Sequence, residues 1–192
     1  MSSLFSDGND FVIFDFDDSL EREVPLELIK TIQRVRNEKN PVITLWINSF
    51  GGYRHLVFQL ISLVEIAKRE GIIVRTVITD NAYSAGSILA VSGSPGERYM
   101  ERTSEHLIHY GVTGSSETTP EQVERNYIQK KEGFDKIKKH YLKYSKISPD
   151  ELDRLMSDDN AFIPAAKAIK LGLADKFLDN GKGKNNLDVG SE

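Results

Sequence analysis

Apolar and polar residues alternate along this chain in blocks whose periods predict an ordered series of strands and helices. Phe11-Val12-Ile13-Phe14 reads as a first strand. From Pro25 to Arg36, Leu26, Ile29, Ile32 and Val35 recur at helical spacing, with Pro25 near the start, where the first amides have no intrahelical partner. Pro41 to Ile47 is a nearly continuous apolar run, the pattern of a strand buried on both faces. It ends in the turn Asn48-Ser49-Phe50-Gly51-Gly52. A helix from Arg54 to Arg69 follows, with Leu56, Leu60, Leu63, Val64 and Ala67 as its stripe and Gly71 as its stop. Ile72 to Ile78 reads as the next strand. The small-residue knot Ala82-Tyr83-Ser84-Ala85-Gly86-Ser87 joins it to a short apolar helix. Arg98-Tyr99-Met100 and Glu105 to His109 read as two further short strands.

The second half is more polar. Gly111 to Thr119 reads as a flexible loop, and Pro120 to Tyr144 as a long charged helix with Val123, Tyr127, Ile128, Phe134, Ile137 and Tyr141 scattered along it. Ser148 is placed to cap a helix whose Glu151 holds the capping-box position. Pro164 to Gly172 predicts a last helix, and the segment 181–192 a disordered tail after a single domain over 1–180. Strands alternating with helices predict an α/β core built on a parallel sheet with right-handed crossovers.

Composition narrows the function. A formal net charge of -4 offers no broad basic surface, so nucleic acid is not an expected partner. The chain has no cysteine, which removes disulfides, thiol catalysis and thiolate metal sites. No apolar run reaches the length of a membrane span, and the N-terminus lacks a basic region followed by an apolar stretch, so no membrane partner and a cytoplasmic location are expected.

The candidate chemistry lies at two turns and one histidine. Ser84 sits where a strand meets a helix, which exposes its hydroxyl beside helix N-terminal amides. His109, near the end of a neighbouring run, could accept the serine proton. If the strands before Gly51-Gly52 and Ser84 are neighbours, the Gly52 and Ala85 amides could converge on one carbonyl oxygen as an oxyanion hole. Ser157-Asp158-Asp159-Asn160 supplies candidates for a third group that orients the histidine, although such an acidic turn is commonly just solvated. His106, on the opposite face of its strand, is not expected to share a metal site with His109. His55 and His140 read as surface or packing positions.

These motifs resemble, in order and spacing, those of the proteolytic subunit of the Clp protease, including its phage-type relatives. Ile47-Asn48-Ser49-Phe50-Gly51-Gly52 resembles that family's Ile-Asn-Ser-Pro-Gly-Gly turn, with Phe50 in place of proline. Ala82 to Ser87 resembles its nucleophile turn, and Arg98-Tyr99 and Ile108-His109 its Arg-Tyr and Ile-His segments. Ala168 with Leu171-Gly172-Leu173-Ala174-Asp175 resembles its closing pattern. The resemblance implies a crotonase-like fold of repeated β-α units, with the helix 120–144 as a protruding handle that builds rings. It implies a serine-type endopeptidase acting on peptides or unfolded proteins inside a homo-oligomeric ring chamber, in the family two stacked heptamers. Ser84 would be the nucleophile and His109 the base, with substrate lying along Gly51-Gly52. No cofactor or metal is implied, and ATP would be used only by an AAA+ unfoldase partner.

Counting back from the closing motif places Asn160 where the family has its triad aspartate, with Asp159 one residue away. An asparagine there, and the apparent lack of N-terminal axial loops, keep open an inactive ring or scaffold subunit. An acyl-CoA enzyme on the related crotonase fold is a further alternative. So is a Mg²⁺-dependent phosphatase, because Asp15 and Asp17 in Phe14-Asp15-Phe16-Asp17-Asp18 resemble the first motif of haloacid-dehalogenase-type enzymes.

Overall fold

The computed structural model describes residues 9–13, 23–111 and 119–178. In chain order the elements are β1 (Asp10–Ile13), α1 (Glu23–Val35), β2 (Val42–Ser49), α2 (Arg54–Arg69), β3 (Ile73–Tyr83) and α3 (Ala85–Ala90). They continue as β4 (Arg98–Met100), β5 (Glu105–Leu107), α4 (Pro120–Tyr144), α5 (Pro149–Met156), β6 (Phe162–Pro164), α6 (Ala165–Lys170) and β7 (Lys176–Phe177). Asp15 and Asp17 of the phosphatase-like motif, and the tail 181–192, lie outside the described residues.

The sheet is the expected parallel one, in the order β1-β2-β3-β4-β7, with helices packed on it. β2 reads as apolar on both faces because it is central: Ile43, Leu45 and Ile47 face one side of the core, and Thr44 on the other side is also buried. β3 is longer than the apolar run predicts. Its first part pairs with β4 through Thr76–Ile78, and its polar extension Asn81–Tyr83 pairs with β5. A register shift in β2 between Ile47 and Ser49 accompanies this fork, and Asn81 N donates to Asn48 Oδ1 across it at 3.3 Å. The extension carries the chain directly to Ser84. β6 then closes on β5 in the antiparallel sense.

Three expectations are corrected. The buried face of α1 is Pro25, Leu28, Thr31, Ile32 and Val35; Ile32 and Val35 are buried as expected, while Leu26 and Ile29 are exposed, so the buried stripe is displaced by less than one residue's rotation (~100°). β5 stops at Leu107, so His109 lies two residues beyond the strand. Ser148 does cap α5, its Oγ accepting from Glu151 N at 3.2 Å, but the Glu151 carboxylate turns to Arg154 instead of completing a capping box.

The chain's closing segment is tied to the sheet by Arg98. Its Nε and Nη2 donate to Asp175 at 3.0 and 2.6 Å, and its Nη1 donates to Tyr144 O and Gly172 O at 2.6 and 2.9 Å. Asp175 also accepts from the amides of Gly96 and Arg98. This one guanidinium joins β4, the end of α4 and the turn after α6, so its charge is fully paired despite burial.

Candidate active site

Ser84 occupies the step from β3 into α3. Its φ of 50° and ψ of -116° are unusual for a residue with a side chain, and such a conformation costs on the order of 1–3 kcal/mol unless the surroundings hold it. They do so from three sides. Ser84 N donates to Leu107 O of β5 at 2.9 Å, and Ser84 O accepts from Ile88 N of α3 at 3.1 Å. On the third side the turn after β2 presses against it. A β-carbon on Gly51 would lie 2.8 Å from Ser84 Cβ, and one on Gly86 would lie 2.9 Å from Ser49 Cβ. The two turns therefore interlock through paired glycine–serine contacts. Gly51 and Gly52 have φ of 112° and 132°, a region that side chains rarely enter. Gly51 N is held by Ser49 Oγ at 3.1 Å.

Ser84, Ala85, Gly52 and His109 line one cavity of about 560 Å³, with Ile88 and Ile137 among its apolar walls. The structure thus brings the expected nucleophile, base and oxyanion residues around one space. Ser84 and His109 make no hydrogen bond with each other among the described residues, and contacts of this kind are often long before substrate is bound.

The expectation for the third residue is corrected. His109 Nδ1 lies 2.9 Å from Asp159 Oδ1, and Asn160 does not make that contact. The turn after α5 explains the shift of one position. Asp158 uses its carboxylate to accept from Asn160 N at 2.9 Å and its carbonyl to accept from Ala161 N at 3.0 Å. That local closure presents Asp159 to the imidazole. A carboxylate on Nδ1 favours the tautomer with its proton there and leaves Nε2 free to accept a proton. Tyr110 N, bonded to Met156 O at 2.9 Å, fastens the histidine segment to the end of α5.

Behind the cavity lies a buried polar chain that no motif signals. Tyr141 of α4 donates to Ser87 Oγ, which lies 2.9 Å from His106 Nδ1. Burial, with a contribution from the Arg98 charge, pulls the His106 pKa down to about 3, so the ring is neutral. His140 is likewise held down to about 4, chiefly by burial, while its Nε2 reaches Ile88 O and Ser92 Oγ at 3.0 Å each. These two histidines are packing groups and do not enter the cavity. On the rim, Phe50 and Phe162 flank Tyr83 edge-on with ring centroids 5.7 and 5.4 Å away.

Comparison with known proteins bears on the family and the fold. A family model described as Clp protease matches residues 9–181. The chain belongs to the Clp protease family. That membership places it among the serine-type peptidases and accounts for the α/β fold. The ATP-dependent Clp protease proteolytic subunit 2 of Leifsonia xyli is 24% identical over 186 residues, 94% of this chain and 78% of that protein. The subunit 2 of Bacillus licheniformis is 31% identical over 113 residues, which cover 59% of this chain and 56% of the relative. The proteolytic subunit of Deinococcus radiodurans is 28% identical over 138 residues, 71% of this chain and 65% of that one. No helix among the described residues of this Clp family chain is long and apolar enough to cross a membrane.

Proposed function

We propose that this chain is a serine endopeptidase acting on peptides or unfolded polypeptides, with Ser84 as nucleophile, His109 as base and Asp159 in place of Asn160 as the orienting group. One observation carries the reading: a strained serine at a strand-to-helix turn lines the same cavity as a histidine whose Nδ1 is held by a carboxylate. Ser84 Oγ attacks the peptide carbonyl carbon as His109 Nε2 takes its proton. The Gly52 and Ala85 amides receive the oxyanion. His109 then protonates the departing amine, and water, deprotonated by the same imidazole, releases the acyl group. Substrate lies extended beside Gly51-Gly52, adding a strand to the turn. No cofactor takes part in these steps.

The family's ring architecture is carried over as part of the proposal. The first half of α4 exposes Val123, Tyr127 and Ile128, 49–67% accessible, an apolar surface on which a second copy could pack. A closed ring, two stacked heptamers by analogy with the family, would enclose the sites in the cytoplasm, and any ATP would be spent by an AAA+ partner. The reading as an inactive scaffold subunit loses one of its two supports, because a carboxylate and not the expected asparagine stands beside His109.

The test is fluorophosphonate labelling of the wild type and Ser84→Ala, with the reacted residue mapped by mass spectrometry, particle size recorded, and peptide hydrolysis assayed in the same samples. Labelling at Ser84, with hydrolysis lost in Ser84→Ala, is the expected result. An assembled ring that is neither labelled nor active would overturn the peptidase reading in favour of the scaffold.

A further inference from the structure

Among the described residues, the cavity beside Ser84 has one fixed charge in its wall. Arg54, the first residue of α2, lines it together with Tyr53 and Phe50, and among the described residues no carboxylate belongs to the lining. Among the described residues Arg54 has no hydrogen bond or ion pair, whereas Arg75, Arg98 and Arg154 each hold a carboxylate. Asp159 is engaged by His109 and stands outside the lining. A guanidinium with no carboxylate partner among the described residues, inside a largely apolar cavity, is ready to take an anion.

A second observation shows that the opposite wall leaves room for it. Gly133 interrupts the 25-residue helix α4, where glycine is unfavourable. Its φ is not in the left-handed region, so no turn requires it. A β-carbon at Gly133 would lie 2.2 Å from Arg54 Nη1 and 2.5 Å from Arg54 Cζ. The missing side chain therefore clears a notch in α4 into which the Arg54 guanidinium lies. Ile137, one helical turn later, also lines the cavity.

We propose that Arg54 is a specificity-determining residue that receives a substrate carboxylate, supplied by an Asp or Glu side chain near the scissile bond or by a peptide C-terminus. The proposal rests on the peptidase reading. The planar fork of Arg54 can bind both oxygens of the carboxylate while the apolar walls exclude water. A hydrogen-bonded pair of this kind gives about 10- to 100-fold discrimination. The tyrosine and phenylalanine beside it would hold the neighbouring part of the peptide.

The experiment compares matched peptides cleaved by the full-length protein: Glu against Gln at each position near the scissile bond with amidated ends, and a neutral peptide with a free against an amidated C-terminus. The wild type is expected to favour a carboxylate in one of the two series by about tenfold or more in kcat/KM, and that series names the source. In Arg54→Gln the ratio falls toward one, and Arg54→Lys restores part of it. Gly133→Ala, which keeps the charge but fills the notch, also lowers it. Ratios near one in the wild type, or ratios unchanged in both Arg54→Gln and Gly133→Ala, would overturn the proposal. If the wild type cleaves nothing and Ser84 stays unlabelled, the peptidase reading has failed separately. Binding of the same peptides then decides: tighter binding of the carboxylate member, lost in Arg54→Gln, supports the assignment, and equal binding overturns it.

Discussion

Gly51 is packed so closely on Ser84 that a β-carbon at position 51 would stand 2.8 Å from Ser84 Cβ and 3.3 Å from its hydroxyl oxygen. The turn after β2 is thus one wall of the serine's own pocket, and the shape of each turn depends on the other. Gly51→Ala would combine this clash with a φ of 112° that alanine resists. The expected outcome is a loss on the order of 2–4 kcal/mol in urea unfolding together with loss of fluorophosphonate labelling at Ser84. Wild-type labelling in Gly51→Ala would show that the two turns are not coupled.

The third residue can be assigned by a pair of substitutions. With His109 Nδ1 on Asp159 Oδ1, Asp159→Asn should lower kcat by about 10³–10⁴-fold, through loss of the charge and of the favoured tautomer. Asn160→Ala, whose backbone amide still closes the turn onto Asp158, should change kcat by less than about tenfold. The reverse ranking in steady-state kinetics would return the role to Asn160.

His106 and His140 make stability fall in mild acid. Both have folded-state pKa values, about 3 and about 4, below the ordinary histidine value of 6.5. Below pH 6.5 the unfolded chain therefore binds protons that the folded chain refuses, and stability declines as the pH drops. From pH 7 to 5 the loss should be roughly 1–2 kcal/mol per histidine. Burial pushes the Glu65 carboxyl up, but its bonds to Lys68, Tyr144 and Lys143 prevail and hold it down at about 2. Its stabilisation is thus intact above about pH 4.5 and disappears only on further acidification. Urea unfolding at fixed protein concentration between pH 7 and 5 isolates the histidines. A flat profile over that window would mean that the two rings are not buried neutral.

Asp175→Asn removes the charge that Arg98 meets where β4, α4 and the turn after α6 converge. Burial raises the Asp175 carboxyl, yet Arg98 and the amides of Arg98 and Gly96 bring it below its ordinary value. Leaving the guanidinium half-paired should cost about 2 kcal/mol or more, read as a lower midpoint in urea. An unchanged midpoint would mean that the two backbone carbonyls suffice to hold Arg98.

Much of this was legible along the chain because local pattern and final structure agree. The limits of α2, β4 and α4 follow from periodicity and from proline and glycine punctuation. The glycine pair and the serine knot mark both turns of the candidate site. What periodicity misses is set by tertiary partners. The polar end of β3 is a strand only because β5 is there to pair with it. Leu26 and Ile29 suit a helix stripe, but the core selects Leu28 and Thr31. The choice of Asp159 over Asn160 depends on how Asp158 closes its turn, a detail finer than a count of residues. The relation of Arg54 to Gly133 joins distant segments, and neither residue signals the other in sequence.

The fork in β3 gives the two sides of the cavity different anchorage. Ser84 follows a strand clasped on both edges, by β2 on one and by β4 and then β5 on the other. His109 hangs two residues past a three-residue strand and leans on a carboxylate that is 68% exposed. The histidine side is therefore the more weakly anchored of the two. Displacement of the turn around Asp159 would release the imidazole while leaving the serine and its strained backbone in place.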